Sequence, residues 1–558
     1  MNKTKSLTIK SAQRFIQCLE NEGVEVIFGI PGEENLDLMD ALLDSNIQFI
    51  TTRHEQGAAF MADVYGRLTG KAGVCLATLG PGATNLVTGV ADANMDRAPI
   101  VAIAGQAATT RLHKESHQVL DLVSMFKPIS KYATQILEPE IVAEVVRKAF
   151  KVAQTEKPGA SFIDYPENIA EATLPIDQYR PLKVIQPRLT LADQQLLEKA
   201  AHLLETAQNP LVLVGNGVFR AKAHLVVQDF VTHANLPLVN TFMAKGVLPY
   251  FKLHLAMGTV GLQKGDYENA GFKDADVILC IGFDMVEYHP YLWNPNHQHT
   301  IIHIDTTSAE VDENYIPKVE LIGDIGRNLS ALQSLVKKRP AKPIYFPLRE
   351  AVIAEMNRCS HSTAWPLKPQ KIIWDLRTAM AEEDIAICDV GAHKMWMARF
   401  FRADKPNTCI ISNGFASMGI AVPGAIAAKL AYPDKAVVAV TGDAGFLMNA
   451  QEIETALRYQ TPIVILIWND SEYGLIKWKQ QRRFGRPAHI DFKNPDFVTF
   501  AKSFGAQGIR IEKAEQLLPA LKKAIQTPTV TLIDCPVDYS ENNRLTELLG
   551  NVLSGVEN

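Results

Sequence analysis

At 558 residues the chain is too long for one ordinary hydrophobic core, so about three domains is the expectation. Hydrophobic residues make up 47% and charged residues 21%, the balance of a folded chain and not of a disordered one. A net charge of −5 gives no reason to expect a nucleic acid or an anionic membrane as partner, and no apolar run reaches the roughly 18–20 residues of a membrane span.

The start, MNKTKSLTIKSAQRF, has two early lysines but no apolar stretch of signal-peptide type, so export is not expected. EVIFGI then reads as a strand before a helix beginning near Glu34, and IQFITTRHE as a strand before the helix of AAFMADVYGRL. AGVCLATLG precedes a helix from about Ala83, PIVAIAGQ follows, and SFIDYP is expected to complete the sheet before the Pro-containing stretch from Pro175 to Pro187. The middle third restarts with PLVLVGNG, ADVILCIGFD and TIIHIDT and ends in the Lys/Pro segment KKRPAKPIYFP (337–347). EDIAICDVG, TCIISNG, KAVVAVTGD, PIVILIWND and TVTLIDCP repeat the alternation in the last third. Buried strands separated by single helices imply an α/β fold of doubly wound parallel sheets. The first and last thirds look like two copies of one architecture.

Seven cysteines lie far apart, without a C-x-x-C pair and mostly inside apolar runs. Reduced, buried thiols in a cytoplasmic protein are the expectation.

The most informative segment runs from Val437 to Trp478. Two strand-like runs end at Gly442-Asp443 and Asn469-Asp470 with a helical stretch between them, a β-α-β unit that brings both carboxylates to the carboxyl edge of a parallel sheet. Two hard oxygen ligands beside the small-residue turn Gly442–Gly445, with its backbone amides free, suit Mg²⁺ bridging a diphosphate. The same dipeptides also suit plain turns after strands. Glu55, between a strand and a helix, has two readings as well: a catalytic carboxylate, or a first-turn residue favoured by the helix dipole.

The spacing of Gly442-Asp443-Ala444 and Asn469-Asp470 resembles the thiamine diphosphate signature, Gly-Asp-Gly followed some 25 to 30 residues later by Asn-Asn. Ala444 and Asp470 depart from it, one slightly in size and one by an added charge. The stretch 53–106, RHEQGAAFMADVYGRLTGKAGVCLATLGPGATNLVTGVADANMDRAPIVAIAGQ, resembles the N-terminal pyrimidine-binding domain of the acetolactate synthase family. This resemblance implies three domains: a pyrimidine-binding domain (1–180), a central Rossmann-like domain (188–338) and a diphosphate- and Mg²⁺-binding domain (360–545). It implies Glu55 as the residue that activates the cofactor, and Asp443, Asp470 and the backbone carbonyl of Glu472 as metal ligands. SNGFASMGIAVPGAIAA (412–428) resembles the family segment whose Met bends the cofactor, which points to Met418. DVGAHKMW (389–396) resembles a diphosphate-binding turn, which adds Ala392 and His393 to Gly442, Ala444 and Gly445. IFGIPG (27–32) and LGPGATN (79–85) look like loops approaching the cofactor.

The implied reaction decarboxylates pyruvate and transfers the two-carbon unit to a second pyruvate, giving 2-acetolactate, with Gln118 in the acceptor site. The family builds its active sites between subunits, so a homodimer or homotetramer is implied. GFDMVEYHP (282–290) lacks the arginines that mark FAD-containing biosynthetic members, and GNG (215–217) is followed by Arg220 where a third glycine belongs, so FAD is not expected. Lys479 stands where biosynthetic members carry a Trp, Glu167 where they carry a Lys, and the basic segment 473–487 is either a carboxylate-attracting rim or a solvated helix face. His289, His297, His299 and His303 fit no metal spacing and read as loop histidines. A 2-keto acid decarboxylase or another carboligase or acyltransferase on the same scaffold is the alternative. A dinucleotide-dependent oxidoreductase would need the full glycine fingerprint.

Overall fold

The computed structural model describes residues 7–185, 188–249, 254–261, 271–340 and 345–546. Residues 1–6 of the start, the end of the Pro175–Pro187 stretch and residues 341–344 of the Lys/Pro segment lie outside the described residues. Three six-stranded parallel sheets follow one another along the chain, each built from short apolar runs and flanked by helices.

In the first sheet the spatial order is Gln48–Thr51, Val26–Gly29, Gly73–Ala77, Ile100–Gln106, Ala160–Pro166, Tyr132–Gln135. In the third it is Cys409–Ile411, Ile385–Cys388, Val437–Gly442, Val464–Asn469, Thr531–Pro536, Gln507–Arg510. Counted in chain order both read 2-1-3-4-6-5, so the first and last thirds are two copies of one topology. The middle sheet, from Pro210–Val214 to Pro317–Ile322, reads 3-2-1-4-5-6, the order of a dinucleotide-binding sheet. A two-stranded antiparallel pair, Thr8–Lys10 with Thr173–Pro175, closes the first unit.

SFIDYP is the last strand of the first sheet in chain order, as expected, but it lies inside the sheet: the edge belongs to Tyr132–Gln135, a strand the sequence reading did not single out. That edge strand is only half-buried and carries little apolar pattern, as edge strands often do. Near Glu34 the chain first makes a 3-10 turn, Glu33–Asn35, and the helix Leu36–Leu42 follows. The Glu34 carboxylate turns inward to accept the Thr78 hydroxyl at 2.8 Å.

The first and third units share one apolar core. Helix Ala421–Ala431 lies against helix Glu55–Thr69, both rich in fully buried alanines. Gly424 permits the approach, since a Cβ there would stand 2.8 Å from the Val64 side chain. All seven cysteines are free thiols, six of them buried. Among the described residues no helix is long and apolar enough to cross a membrane.

Candidate active site

The strands Val437–Gly442 and Val464–Asn469 are parallel neighbours with Gly442 opposite Trp468, so both chains leave the sheet at one edge. Asp443 and Asp470 emerge there. Asp443 is buried; its Oδ2 accepts the Ser471 N–H at 2.7 Å and the Asn494 amide at 2.8 Å. Burial raises the pKa of Asp443, and that of Asp470 is pushed up to about 7 by burial and then by the charge of Asp443. Two sequestered carboxylates that repel one another are a natural donor set for a hard divalent cation, which removes the repulsion.

Asn494 carries no motif that singles it out in the sequence; its only signal there is an Asn-Pro pair in a loop. Its Nδ2 also reaches Asn469 Oδ1 at 3.1 Å, while its Oδ1 is buried without a partner and is a third hard oxygen. The Glu472 carboxylate pairs with Lys477 at 2.5 Å, which leaves its backbone carbonyl as the donor expected of it. Among the described residues no group of three His, Cys, Asp or Glu side chains gathers for a metal, so a cation here rests on two carboxylates and neutral oxygens. A Cβ at Gly474 would stand 2.5 Å from Asp470 Oδ2 and push this carboxylate aside.

The turn Gly442–Gly445 differs from expectation. Its amides are not all free: the short helix Asp443–Met448 starts there, and the Ala444 N–H donates to Asp443 Oδ1 at 2.9 Å. First-turn amides have no partner within their helix, and the nearest carboxylate takes this one.

The adjacent strand, Ile385–Cys388, leads through Asp389 to the helix Ala392–Phe400. Ala392 and His393 form its first turn, both buried. The His393 ring lies over the ends of both strands, where a Cβ on Gly391 would be 2.7 Å and one on Gly442 3.3 Å from its Cε1. Burial lowers its pKa to about 3, so the imidazole is neutral, and its Nε2 is buried without a partner. A neutral donor beside small residues fits a diphosphate. Asp389, the first residue of the segment 389–396 though not one of the two picked from it, accepts the Gly419 N–H at 2.9 Å and the Thr441 hydroxyl at 3.2 Å, which anchors the residue after Met418. Met418 itself is half-buried.

In the first unit Glu55 opens the helix Glu55–Thr69, with His54 as cap: its Nδ1 accepts the Gln56 N–H at 3.0 Å. Asn85 donates to Glu55 Oε2 at 2.9 Å, and a Cβ on Gly82 would stand 3.4 Å from Oε1. Gln118, exposed and at φ 58°, packs over Gly80, whose own φ is 53°. The segment 79–85, expected to be a loop, is the start of the helix Pro81–Met95 with Gly80 as its cap, and it joins Glu55 to Gln118 on one rim. The third unit reaches this rim through Asn449, whose amide donates to Gln56 Oε1 at 3.1 Å and to the Gly419 carbonyl at 2.9 Å.

Beside Asp470 a cavity of about 910 Å³ is lined by Glu472, Lys477, Arg482, Trp478 and Tyr539. Lys479 is exposed and does not line it. In the helix Gly474–Phe484 only Trp478 is buried, so most of the basic segment is a solvated face, and Lys477 and Arg482 are the cations turned to the cleft. Glu167 accepts the Ala108 N–H at 3.0 Å and pairs with Arg111. His299 bonds to the carbonyls of Ala275 and Trp293, and His303 to Tyr315 and the Thr307 carbonyl.

In the middle unit the crevice between Pro210–Val214 and Val277–Ile281 is where a dinucleotide diphosphate would lie in this topology. The buried carboxylate of Glu287 occupies it, accepting the Asn216 N–H at 3.0 and 3.1 Å and the Thr241 hydroxyl.

Family models match in all three units. Residues 9–125 match the thiamine pyrophosphate enzyme N-terminal TPP binding domain, 197–332 the central domain and 389–535 the C-terminal TPP binding domain. An acetolactate synthase of Bacillus subtilis (strain 168) is 38% identical over 545 residues, covering 96% of this chain and 94% of that protein. A catabolic acetolactate synthase of Raoultella terrigena is 33% identical over 550 residues, 95% of each. A probable acetolactate synthase large subunit of Methanocaldococcus jannaschii is 36% identical over 557 residues, 96% of this chain and 93% of that one. With its three sheets in this order, its paired strand-end carboxylates and these relatives along nearly its whole length, the chain belongs to the acetolactate synthase family of thiamine pyrophosphate enzymes.

Proposed function

We propose that this chain is an acetolactate synthase that uses thiamine diphosphate and Mg²⁺ to join two pyruvate molecules into 2-acetolactate with release of CO₂. One correspondence carries the reading: Glu55 opens the helix after a strand of the first sheet, and the Asp443/Asp470 pair stands at the carboxyl ends of two inner strands of the third, in units of identical topology. Units 1–180, 188–338 and 360–545 are then the pyrimidine-binding, central and diphosphate-binding domains.

When bound, thiamine diphosphate supplies a thiazolium carbon able to add to a keto carbon and to hold the electron pair that decarboxylation leaves. Asp443, Asp470 and the Glu472 carbonyl would hold Mg²⁺, with Asn494 Oδ1 in reserve as a neutral oxygen. Gly442, Ala444, Gly445, Ala392 and His393 would receive the diphosphate: small side chains leave room, and His393 offers a neutral donor. Met418 would support the bent cofactor from below. Asn85 engages Glu55 Oε2, so we assign Oε1 to hold and release the proton of the aminopyrimidine ring. Gln118, on the same rim, would orient the second pyruvate.

Each active site would form between two copies, in a homodimer or homotetramer. Exposed Phe415, Leu447, Met448, Tyr473 and Ile476 beside the third sheet support a covering second copy. The Glu287 carboxylate in the central crevice supports independence from FAD, and the free thiols support a cytoplasmic location.

Purified protein incubated with pyruvate, Mg²⁺ and thiamine diphosphate, with and without FAD, tests this. Acetolactate at equal rates in both is the expected result. Acetaldehyde as sole product would overturn the synthase reading.

A further inference from the structure

The loop that carries Met418 has no strand or helix of its own between Ile411 and Ala421, and Ala416 stands at φ 59°. Buried carboxylates hold it instead. Asp92 Oδ1 accepts the Ser412 hydroxyl at 2.7 Å and the Ser417 N–H at 3.3 Å. Asp96 accepts the Asn413 N–H at 2.9 Å and also the Gly414 N–H. On the far side of Met418, Asp389 takes the Gly419 N–H. Asp92 and Asp96 belong to the helix Pro81–Met95 and its cap in the first unit, some 320 residues away, and both are fully buried.

The charges are arranged to keep those carboxylates aimed at the loop. Arg67 reaches Asp63 at 2.7 Å, Asp92 at 3.3 Å, Asp96, and the Ile411 carbonyl at 3.1 Å. Burial pushes the Asp63 pKa well above the usual carboxylate range, against the pull of Arg67. Lys394, next to His393 and buried, is a second cation that feels Asp96 and Asp92, its pKa lowered to about 8 chiefly by burial. Besides pairing with Arg67, Asp92 and Asp96 accept four hydrogen bonds from the six residues just before Met418.

We propose that Asp92 and Asp96 are positioning residues for Met418: a carboxylate pair of the first unit sets the height of the loop in the third. This rests on the reading of Met418 as the cofactor-supporting residue.

The test compares holoenzyme variants Asp92→Asn, Ser412→Ala and Met418→Ala in three readouts: kcat and KM for pyruvate, Kd for thiamine diphosphate, and near-ultraviolet circular dichroism of the bound cofactor. An Asn at 92 keeps the shape but must either set an NH2 group against Arg67 in place of Oδ2 or turn it toward the loop in place of Oδ1, the one oxygen that takes both loop donors. We expect Asp92→Asn to lower kcat and raise the thiamine diphosphate Kd by about tenfold or more, with KM unchanged and a dichroism change matching that of Met418→Ala. Ser412→Ala, which alters no charge, should move the same quantities by about fivefold or less. If Asp92→Asn does not fold, Ser412→Ala alone decides. Wild-type Kd, kcat and dichroism in Ser412→Ala and in any folded Asp92→Asn, against an impaired Met418→Ala, would overturn the proposal and leave the Met418 reading intact. An unimpaired Met418→Ala would overturn that reading and the proposal with it.

Discussion

Glu452 Oε1 accepts the backbone N–H of His54 at 3.0 Å, so a carboxylate of the third unit seats the helix on which Glu55 stands. The same oxygen accepts the Arg53 N–H at 3.1 Å, and Oε2 the Thr455 hydroxyl at 2.6 Å. A carboxyl oxygen at a helix N-terminus accepts from amides that have no partner within the helix. Glu452 is fully buried, and its removal would release the backbone just ahead of Glu55.

Burial pushes the Glu452 pKa up to about 7 from an ordinary 4.5. Between those values the folded chain binds more protons at this group than the unfolded chain does. The group's contribution to stability is therefore complete below pH 4.5 and is lost as pH rises through about 7. Glu452→Gln should flatten this part of the decline in melting temperature between about pH 5 and 7.5. A wild-type slope in the variant would contradict it.

Glu55→Gln should lower kcat by about 10²–10⁴-fold, the range of a lost acid–base group, with the fold unchanged by circular dichroism. Asn85→Ala should act in the same direction but less, by about tenfold, since it removes one hydrogen bond to a charged partner. Steady-state kinetics with pyruvate checks both, and equal losses would argue that Asn85 does more than hold Oε2.

Mg²⁺ should raise the melting temperature, because it binds the folded Asp443/Asp470 pair and not the unfolded chain; at about 100 times its Kd the gain is about 2.7 kcal/mol. Asp443→Ala should abolish this shift. Asp470→Asn, which keeps an oxygen and removes the repulsion with Asp443, should retain activity and stabilise the metal-free protein as pH rises above about 7, where wild-type Asp470 takes up its charge against burial and Asp443. Scanning calorimetry with Mg²⁺ and with EDTA distinguishes these outcomes.

Glu287→Ala should cost about 1–3 kcal/mol, since Asn216 N–H and the Thr241 hydroxyl lose their acceptor. Denaturant titration reads the loss. Flavin fluorescence should show no FAD uptake by the wild-type protein, and quenching on titration would show that the crevice opens.

Much of the site is legible in the order of the residues alone. Asp443 and Asp470 each end a run of consecutive buried apolar residues, and such runs announce where a strand leaves its sheet. Glu55 is legible for the same reason, as the residue between a strand and an alternating helix. The amides of Gly442–Gly445 are not, because a carboxylate's choice of a neighbouring N–H depends on the helix starting at Asp443 and not on residue type. Lys479 stands out by its place in the chain, but the helix turns Lys477 and Arg482 to the cleft and leaves Lys479 in solvent.

The sequence by itself determined the three alternations of strand and helix, the α/β class and the strand ends that carry Glu55, Asp443 and Asp470, because hydrophobic period and turn chemistry are local properties. Only the tertiary structure decided that Glu452 seats the Glu55 helix, that Asp92, Asp96 and Asp389 suspend Met418, that Asn494 joins the paired carboxylates and that Glu287 fills the central crevice. Each is a buried polar group that must find a partner, and most of those partners lie far along the chain, so they are chosen when the sheets dock and not by neighbours in sequence.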